Sequence, residues 1–372
     1  MSSTIIGVND PKAVKRWSSV LFVDNARESY YGNRLVGTGA DAQTPFVALT
    51  DLESKAGDTI SYDLNLQLRG RPVYGDGRIT GTEEALRHAT DTIKIDLVAK
   101  SVSAGRTMSQ KRTLHNLRTT AKDRQRDFWG RWNDEMCSMY LSGSRGVNAD
   151  FIEGEYFTGY AGNALYAPDA DHLLFGGTAT AYNDIDTADG FDLRLIDRAV
   201  TKSAVMGGGA TNIPRIRPMK INGEDRFVCI MHPYQWHATK VNTSTGQWLD
   251  IQKAAAGAVG NSSPIFRGSE GMYNGVVIHK HNTVIKFDDA GVGLNVPAAR
   301  ALFLGRQAGA IAYGTPGDGM RLKWREDVED RGRELVVTVD TCSGHKKTRF
   351  TVDGTARDFG VLALDTYAVN PG

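Results

Sequence analysis

Four histidines, a knot of carboxylates and three cysteines are the groups in this chain that could do chemistry. His279 and His281 stand two apart in GVVIHKH (275–281), so on a strand they share a face, and neutral imidazoles suit zinc. His232 and His237 lie in HPYQWHATK (232–240). No cysteine or carboxylate stands at a spacing that completes a metal set, so these read as strand and helix-cap histidines held by hydrogen bonds. Glu326, Asp327, Glu329 and Asp330 crowd ahead of a strand, interleaved with Arg325, Arg331 and Arg333. That pattern fits a solvated ion-pair loop or an inter-subunit salt network better than an acid/base dyad. Cys137, Cys229 and Cys342 are odd in number, far apart and without CxxC, which points to reduced thiols in a cytoplasmic product. GGGATN (207–212) and GTPGDG (314–319) lack the lysine and hydroxyl of a phosphate loop, and no GxSxG elbow is present. No catalytic residue, cofactor or metal is expected.

Charge is distributed unevenly. The 372 residues sum to +1, with 41% apolar and 23% charged residues, the balance of a soluble folded protein. Between Arg106 and Arg131, however, eight Lys/Arg face only Asp123 and Asp127, a local +6 that leaves −5 for the rest. Arg112, Arg118, Lys122, Arg124, Arg126 and Arg131 thus form a candidate basic face. It can pair with acids of another segment or another chain, or turn toward a bound polyanion, and pairing is the expectation. MSSTIIGVNDPKAVKRW lacks a signal-peptide core, and no apolar run is long enough to span a bilayer, so no membrane partner is expected. The chain opens on Met1, and no removed pro-segment is expected.

The elements that position these groups are mostly short strands. TMSQKRTLHNLRTTAKDRQRDFWGRWNDEMCSMYL (107–141) is the exception, with apolar residues at helical period and one interior glycine. At 1.5 Å per residue it predicts a single helix of roughly 50 Å, capped at Thr107 or Ser109 and ended by Gly143. Its expected core face is Leu114, Leu117, Phe128, Trp132 and Met136, with a bend or close backbone contact at Gly130. DTISYDLNLQL (58–68) and DTIKIDLVA (91–99) alternate strictly and predict a two-stranded hairpin. Its tip of about twenty residues is unusually long, with a short helical turn expected from Thr82. Residues 1–50 read as an extended arm with one short helix opened by Pro11. Residues 142–190 form an irregular ordered insertion, and 191–206 a helix. FVCIM (227–231) is a buried strand feeding a helix at Pro233; 275–281, 283–287, 334–341, 347–352 and 358–366 are strands, and 299–313 is strand or short helix.

This order resembles the Johnson fold of major capsid proteins of tailed double-stranded DNA phages, an α+β class. GTEEAL (81–86), SQKRTLHNLR (109–118), MYLSG (139–143), FVCIMHPYQWHATK (227–240), SSPIFRG with NGVVI (262–278), LGRQAGAIAYG (304–314), and WREDVEDRGREL followed by DFGVLALDT are similar to the podophage-type family in particular. The resemblance implies an N-terminal arm over 1–50, an E-loop hairpin over 51–105 and the spine helix of a peripheral domain over 106–145. An insertion over 146–190, an axial domain over 191–300 and C-terminal return strands over 301–372 complete it. It further implies E-loop contacts through Arg69, Arg71, Tyr74, Arg78, Glu83 and Glu84. It also implies self-assembly into pentamers and hexamers of an icosahedral shell formed in the host cytoplasm. Scaffolding, portal and possible decoration proteins, and non-specifically held packaged double-stranded DNA, are the implied partners. An encapsulin-like compartment shell is the alternative within the fold, and a cytoplasmic α/β enzyme the alternative outside it.

Overall fold

The computed structural model describes residues 29–39, 41–54, 56–113, 116–143, 146, 148–207, 213–221, 223–242, 269–315 and 321–372. The helix expected at Pro11 lies outside them. The chain begins with α1 (Tyr30–Arg34), β1 (Val36–Thr38) and β2 (Phe46–Leu49). Tyr31, Leu35 and Phe46 are fully buried in the chain's own core, because together they supply a compact apolar face that the adjacent polar residues leave free.

β3 (Thr59–Asn65) and β4 (His88–Lys94) form the expected antiparallel hairpin, with Ile60 opposite Ile93. Ile60, Tyr62 and Leu64 are covered while the residues between them are exposed, so period two reports a single buried face. The second strand is shorter than its alternation predicts. After Ile95 the chain leaves the hairpin, and β5 (Asp96–Arg106) pairs with residues 334–343 instead. The single long helix is also divided, into α2 (Thr107–Arg112) and α3 (Leu117–Ser142). Thr113 is extended, and the Asn116 side chain accepts from the Arg118 and Thr119 N–H groups. An asparagine that can satisfy the first free amides of a new helix competes with continuation of the old one. Neither Thr107 nor Ser109 caps α2; Arg106 takes the cap position, and the Thr107 N–H donates to the Arg333 carbonyl. α3 spans 26 residues, about 39 Å. It runs unbroken through buried Gly130 and ends at Gly143 with φ +70°.

There follow β6 (Gly159–Tyr160), β7 (Asn163–Ala164), β8 (Leu173–Phe175), α4 (Leu193–Val205), β9 (Met219–Ile221), β10 (Glu224–Met231) and α5 (Pro233–Asn242). Next come β11 (Gly271–Tyr273), β12 (Val276–Lys280), β13 (Lys286–Ala290), β14 (Val296–Leu304) and β15 (Gly309–Tyr313). The apolar stretch 299–313 is therefore two strands, and the strand expected over 283–287 begins at Lys286. β16 (Leu322–Glu329), β17 (Glu334–Lys347), β18 (Arg349–Val352), β19 (Thr355–Asp358) and β20 (Val361–Tyr367) end the chain. The carboxylates at 326–330 are thus not in a loop: Glu326 and Asp327 are on β16.

Two sheets carry the molecule. The eight-stranded sheet has the order β11-β12-β10-β14-β20-β8, with β13 on β14 and β9 on β10. The six-stranded sheet has the order β1-β2-β15-β17-β16, with β5 on β17. The C-terminal strands divide between them, β16 and β17 in one and β20 in the other. β10 is apolar on both faces: Val228 and Ile230 point into the cluster holding Tyr31 and Phe46, Cys229 and Met231 into the cluster holding α4. A strand covered on both sides reads as a continuous apolar run. α3 is the joint. Trp129, Trp132, Met136, Met139 and Tyr140 pack with Trp324, Val337 and Val339 of the six-stranded sheet, while Cys137 and Leu141 pack with Ile230 and Leu302 of the other. Arg300 of β14 bonds the Ser142 carbonyl at the end of α3 (3.0 Å) and both carboxylate oxygens of Asp365 (2.7 Å each).

Candidate inter-subunit surface

The hairpin is anchored at its base and unsupported at its tip. Ile60 and Ile93 pack on Ala310 and Ala312, and Ala89 on Phe350, Val352 and Phe359. The ladder closes with the Leu66 N–H donating to the Arg87 carbonyl. Beyond it, residues 67–87 form an open loop in which Leu68, Tyr74, Ile79 and Leu86 are 63%, 82%, 70% and 83% exposed. No helical turn forms at Thr82, because the carboxylates that would begin it are engaged in the loop. Glu84 accepts from the Arg69 N–H (2.9 and 2.8 Å) and the Gly70 N–H (2.5 Å), across the neck of the loop. These N–H groups, Gly70 foremost, hold its carboxyl below the usual carboxylate range. Glu83 accepts from the Gly81 N–H. Of the residues singled out here, Glu83 and Glu84 thus shape the loop, while Arg71, Tyr74 and Arg78 are exposed and Arg69 stands at the loop's neck. The exposed leucines and isoleucine were not singled out, although Leu68 continues the alternation of β3 past the point where its own chain covers it.

The basic face is partly neutralised within the chain. Arg118 Nε donates to Glu326 Oε1 (2.8 Å), which also accepts from Trp324 Nε1 (2.9 Å). Arg106 lies 3.5 Å from Glu334 and 3.7 Å from Asp330. Arg124 and Arg126 share Asp127 (3.4 and 3.7 Å), and Arg131 meets Glu135 (3.4 Å). Lys122 is half-buried, and Arg112 is exposed at the end of α2. On the core side Trp132 and Met136 are buried and Leu117 and Phe128 half-buried, the latter under Lys100 Nζ at 5.1 Å. Leu114 lies outside the described residues.

The histidines hold structure. His281 stacks on Tyr30 (4.4 Å) and bonds Thr283, and His232 accepts from the Tyr234 N–H at the start of α5; burial lowers both to about 4. His279 is buried beside Tyr30, and His237 is exposed. No group of three or more His, Cys, Asp or Glu is close enough to hold a metal among the described residues. The cysteines are free thiols; Cys137 and Cys229 are fully buried, and burial pushes Cys229 up to about 12. A different histidine organises the interior. His345 Nε2 donates to Asn133 Oδ1 (2.9 Å), and Nδ1 accepts from Tyr160 (2.6 Å). Asn133 in turn donates to Ser29 Oγ (3.1 Å), whose hydroxyl donates to Asp134 (2.7 Å). Asp134 also accepts from the Tyr30 and Tyr31 N–H groups. Burial lowers His345 to about 3 and raises Asp134 to about 6. No motif signals this chain, whose hydrogen-bonded side-chain partners lie 104 to 212 residues apart.

Two packed cores joined by α3 carry an anchored hairpin whose apolar tip is uncovered within the chain. Comparison with known proteins gives the class, a structural, shell-forming protein. The chain belongs to the phage capsid protein family, whose model matches residues 5–370. A major capsid protein of Pseudomonas phage KPP25 is 26% identical over 95% of this chain and 94% of its own length. The capsid of Ralstonia phage GP4 is 44% identical, covers 100% of both chains and superposes with a TM-score of 0.86. The capsid of cyanophage Pam1, at 21% identity over 92% and 93% of the chains, shares the fold with a TM-score of 0.70. The protein is a major capsid protein and not an enzyme, and the encapsulin alternative is not favoured.

Proposed function

We propose that residues 67–87 are an E-loop that lies over a neighbouring subunit, and that this contact is what closes the chain into five- and six-membered capsomers of an icosahedral shell. The observation that carries this is the tip itself: four large apolar side chains stand in water on a loop whose neck is tied by Glu84 and whose base is packed. A two-stranded hairpin is marginal alone, and an exposed apolar patch of this kind calls for a partner. In this reading the six-stranded sheet with α3 is the peripheral domain and the eight-stranded sheet with α4 and α5 the axial domain. Residues 146–190 bridge them. The shell encloses packaged double-stranded DNA, held through salt-dependent phosphate contacts. It forms in the host cytoplasm with scaffolding, portal and possible decoration proteins. On the basic face, Arg118 serves this chain's own Glu326, which leaves Arg112 as the residue best free to meet a neighbour or DNA. Negative-stain microscopy of the purified chain tests the reading: closed shells support it, and a persistent small oligomer at assembly concentrations overturns it.

A further inference from the structure

Strand β14 has a cavity at one end and a knob at the other. Past its C-terminal end, Arg306 lines a cavity of about 410 Å³ between the loop end of the hairpin, residues 64–69, and residues 213–220. Five cations surround it, Arg69, Arg215, Arg217, Lys220 and Arg306, against one carboxylate, Asp225. Arg306 is committed to the Ala42 carbonyl (2.9 Å) and to Asp41 (3.4 Å). Arg215, Arg217 and Lys220 are exposed and enter no ion pair among the described residues. Arg215 and Arg217 share a side because the chain is extended there, with Pro214 and Ile216 turned inward. The wall is otherwise largely apolar, including Leu64, Leu66 and Phe359.

At the opposite end, β13 and β14 meet in a tight tip. The Leu294 N–H donates to the Gly291 carbonyl and the Asn295 N–H to the Ala290 carbonyl, both at 3.1 Å. The tip holds Val292 93% and Leu294 62% exposed. Around it stand exposed Asp288 and Asp289, and exposed Asp184 and Asp186 from the turn whose Tyr182 carbonyl accepts from the Gly291 N–H. None of the four carboxylates has a cation partner among the described residues. They accept only from neutral donors, such as Thr180 at Asp184 and the Ala188 N–H at Asp186.

An apolar cap ringed by carboxylates complements an apolar-walled cavity ringed by cations. The nine residues of β14 keep the two about 30 Å apart, so no chain can join them to itself. Two unlike surfaces at opposite ends of a subunit make a head-to-tail contact, and such contacts generate rings when the rotation closes. We infer that the 291–295 tip of one copy, led by Val292 and Leu294, seats in the cavity between the loop end of the hairpin and residues 213–220 of the next copy. This inference rests on the shell-forming reading above. A nucleic-acid backbone would also attract the three free cations, but it needs no apolar wall and leaves Val292 uncovered.

Charge exchange tests the pairing. Arg215→Glu/Arg217→Glu and Asp186→Lys/Asp288→Lys are each expected to abolish sedimenting shells at a concentration where the unaltered chain assembles. Thermal unfolding of the subunits should be unchanged, because all four residues are exposed. The chain carrying all four substitutions is expected to recover shells. The inference is overturned if the unaltered chain forms shells and either pair assembles equally well, or if the fourfold variant does no better than the pairs. It is also overturned if Arg215→Glu/Arg217→Glu assembles normally and loses only retention of duplex DNA in a gel-shift assay. Failure of the unaltered chain to form any shell would instead refute the shell reading itself.

Discussion

The uncovered tip of the hairpin permits a quantitative prediction. Consider Tyr74→Ser, Ile79→Ser and Leu86→Ser together. All three side chains are 70% or more exposed, so the isolated subunit has little to lose. On the proposed reading, a neighbour covers the same side chains in the assembled shell. Full burial of one large apolar side chain contributes ~2 kcal/mol, so three that are now about four-fifths exposed contribute about 5 kcal/mol per contact. Ordering the loop offsets part of that, roughly 1 kcal/mol for each immobilised side chain, leaving about 2 kcal/mol. That corresponds to about a thirtyfold weaker contact, since 1.4 kcal/mol is tenfold. Each subunit makes such a contact, so the threshold concentration for assembly is expected to rise by at least that factor, measured by sedimentation and microscopy across a dilution series. Thermal unfolding of the unassembled subunit should stay within a degree or two. An unchanged assembly threshold would refute the reasoning; so would a clear loss of subunit stability, which would place the tip in the chain's own core.

Further tests address the parts that hold the subunit. Gly143→Ala should prevent folding to a soluble subunit, because φ is +70° and a Cβ there would lie 1.5 Å from the Tyr166 carbonyl oxygen; normal expression and melting would contradict this. Arg118→Met should lower urea-unfolding stability by about 1 kcal/mol, since buried Glu326 then keeps only Trp324; no change would mean the pair is neutral. For acid sensitivity the sign follows from His345, His232 and His281, all lowered in the folded state. Their contribution is present above the unfolded value near 6.5 and is lost as pH falls toward about 4 for His232 and His281 and about 3 for His345. His345→Gln should therefore flatten the fall in unfolding free energy between pH 6.5 and 4, and an unaltered slope would exclude His345 as a contributor. Asp134 acts in the other direction, stabilising below its unfolded value and losing that contribution as pH rises through about 6.

Some of this architecture is legible one residue type at a time, and some is not. The alternation of 58–68 and the apolar run of 227–231 identify strands because each reports how many of its faces are covered, one for β3 and two for β10. Gly143 identifies the end of α3 because only glycine tolerates that φ so close to another backbone. The break between α2 and α3 is hidden, since the apolar spacing continues through Leu117 while the decision lies with one asparagine side chain. The switch of partners at Ile95 is hidden for a similar reason: β4 and β5 alternate alike, and only the position of β17 tells them apart. For the basic face the charge count is readable, and Asp127 and Glu135 stand within the helix, but the acids that meet Arg106 and Arg118 arrive from residues 326–334, over 200 positions away. The polar chain from His345 to Asp134 has no local pattern at all.

The joint at α3 has a consequence for how such a subunit fits different surroundings. From Asp134 to Ser142 every residue of the helix is buried, because residues of both sheets pack around it. The Arg300–Asp365 pair, with Arg300 8% and Asp365 0% exposed, adds a bonded strut from the eight-stranded sheet to the end of the same helix. Sliding one sheet against the other would open both clusters, at a cost of several kcal/mol, and break the bond from Arg300 to the Ser142 carbonyl. The two sheets therefore behave as one body. In the proposed shell, what differs between five-fold and six-fold neighbours is taken up where restraint is weakest. That is the loop beyond Leu66, which is tied by Glu84 across its neck and by Arg87 to Asp353, and whose tip is open to water. On that reading, one segment supplies both the adhesion of the shell and its tolerance of unequal positions.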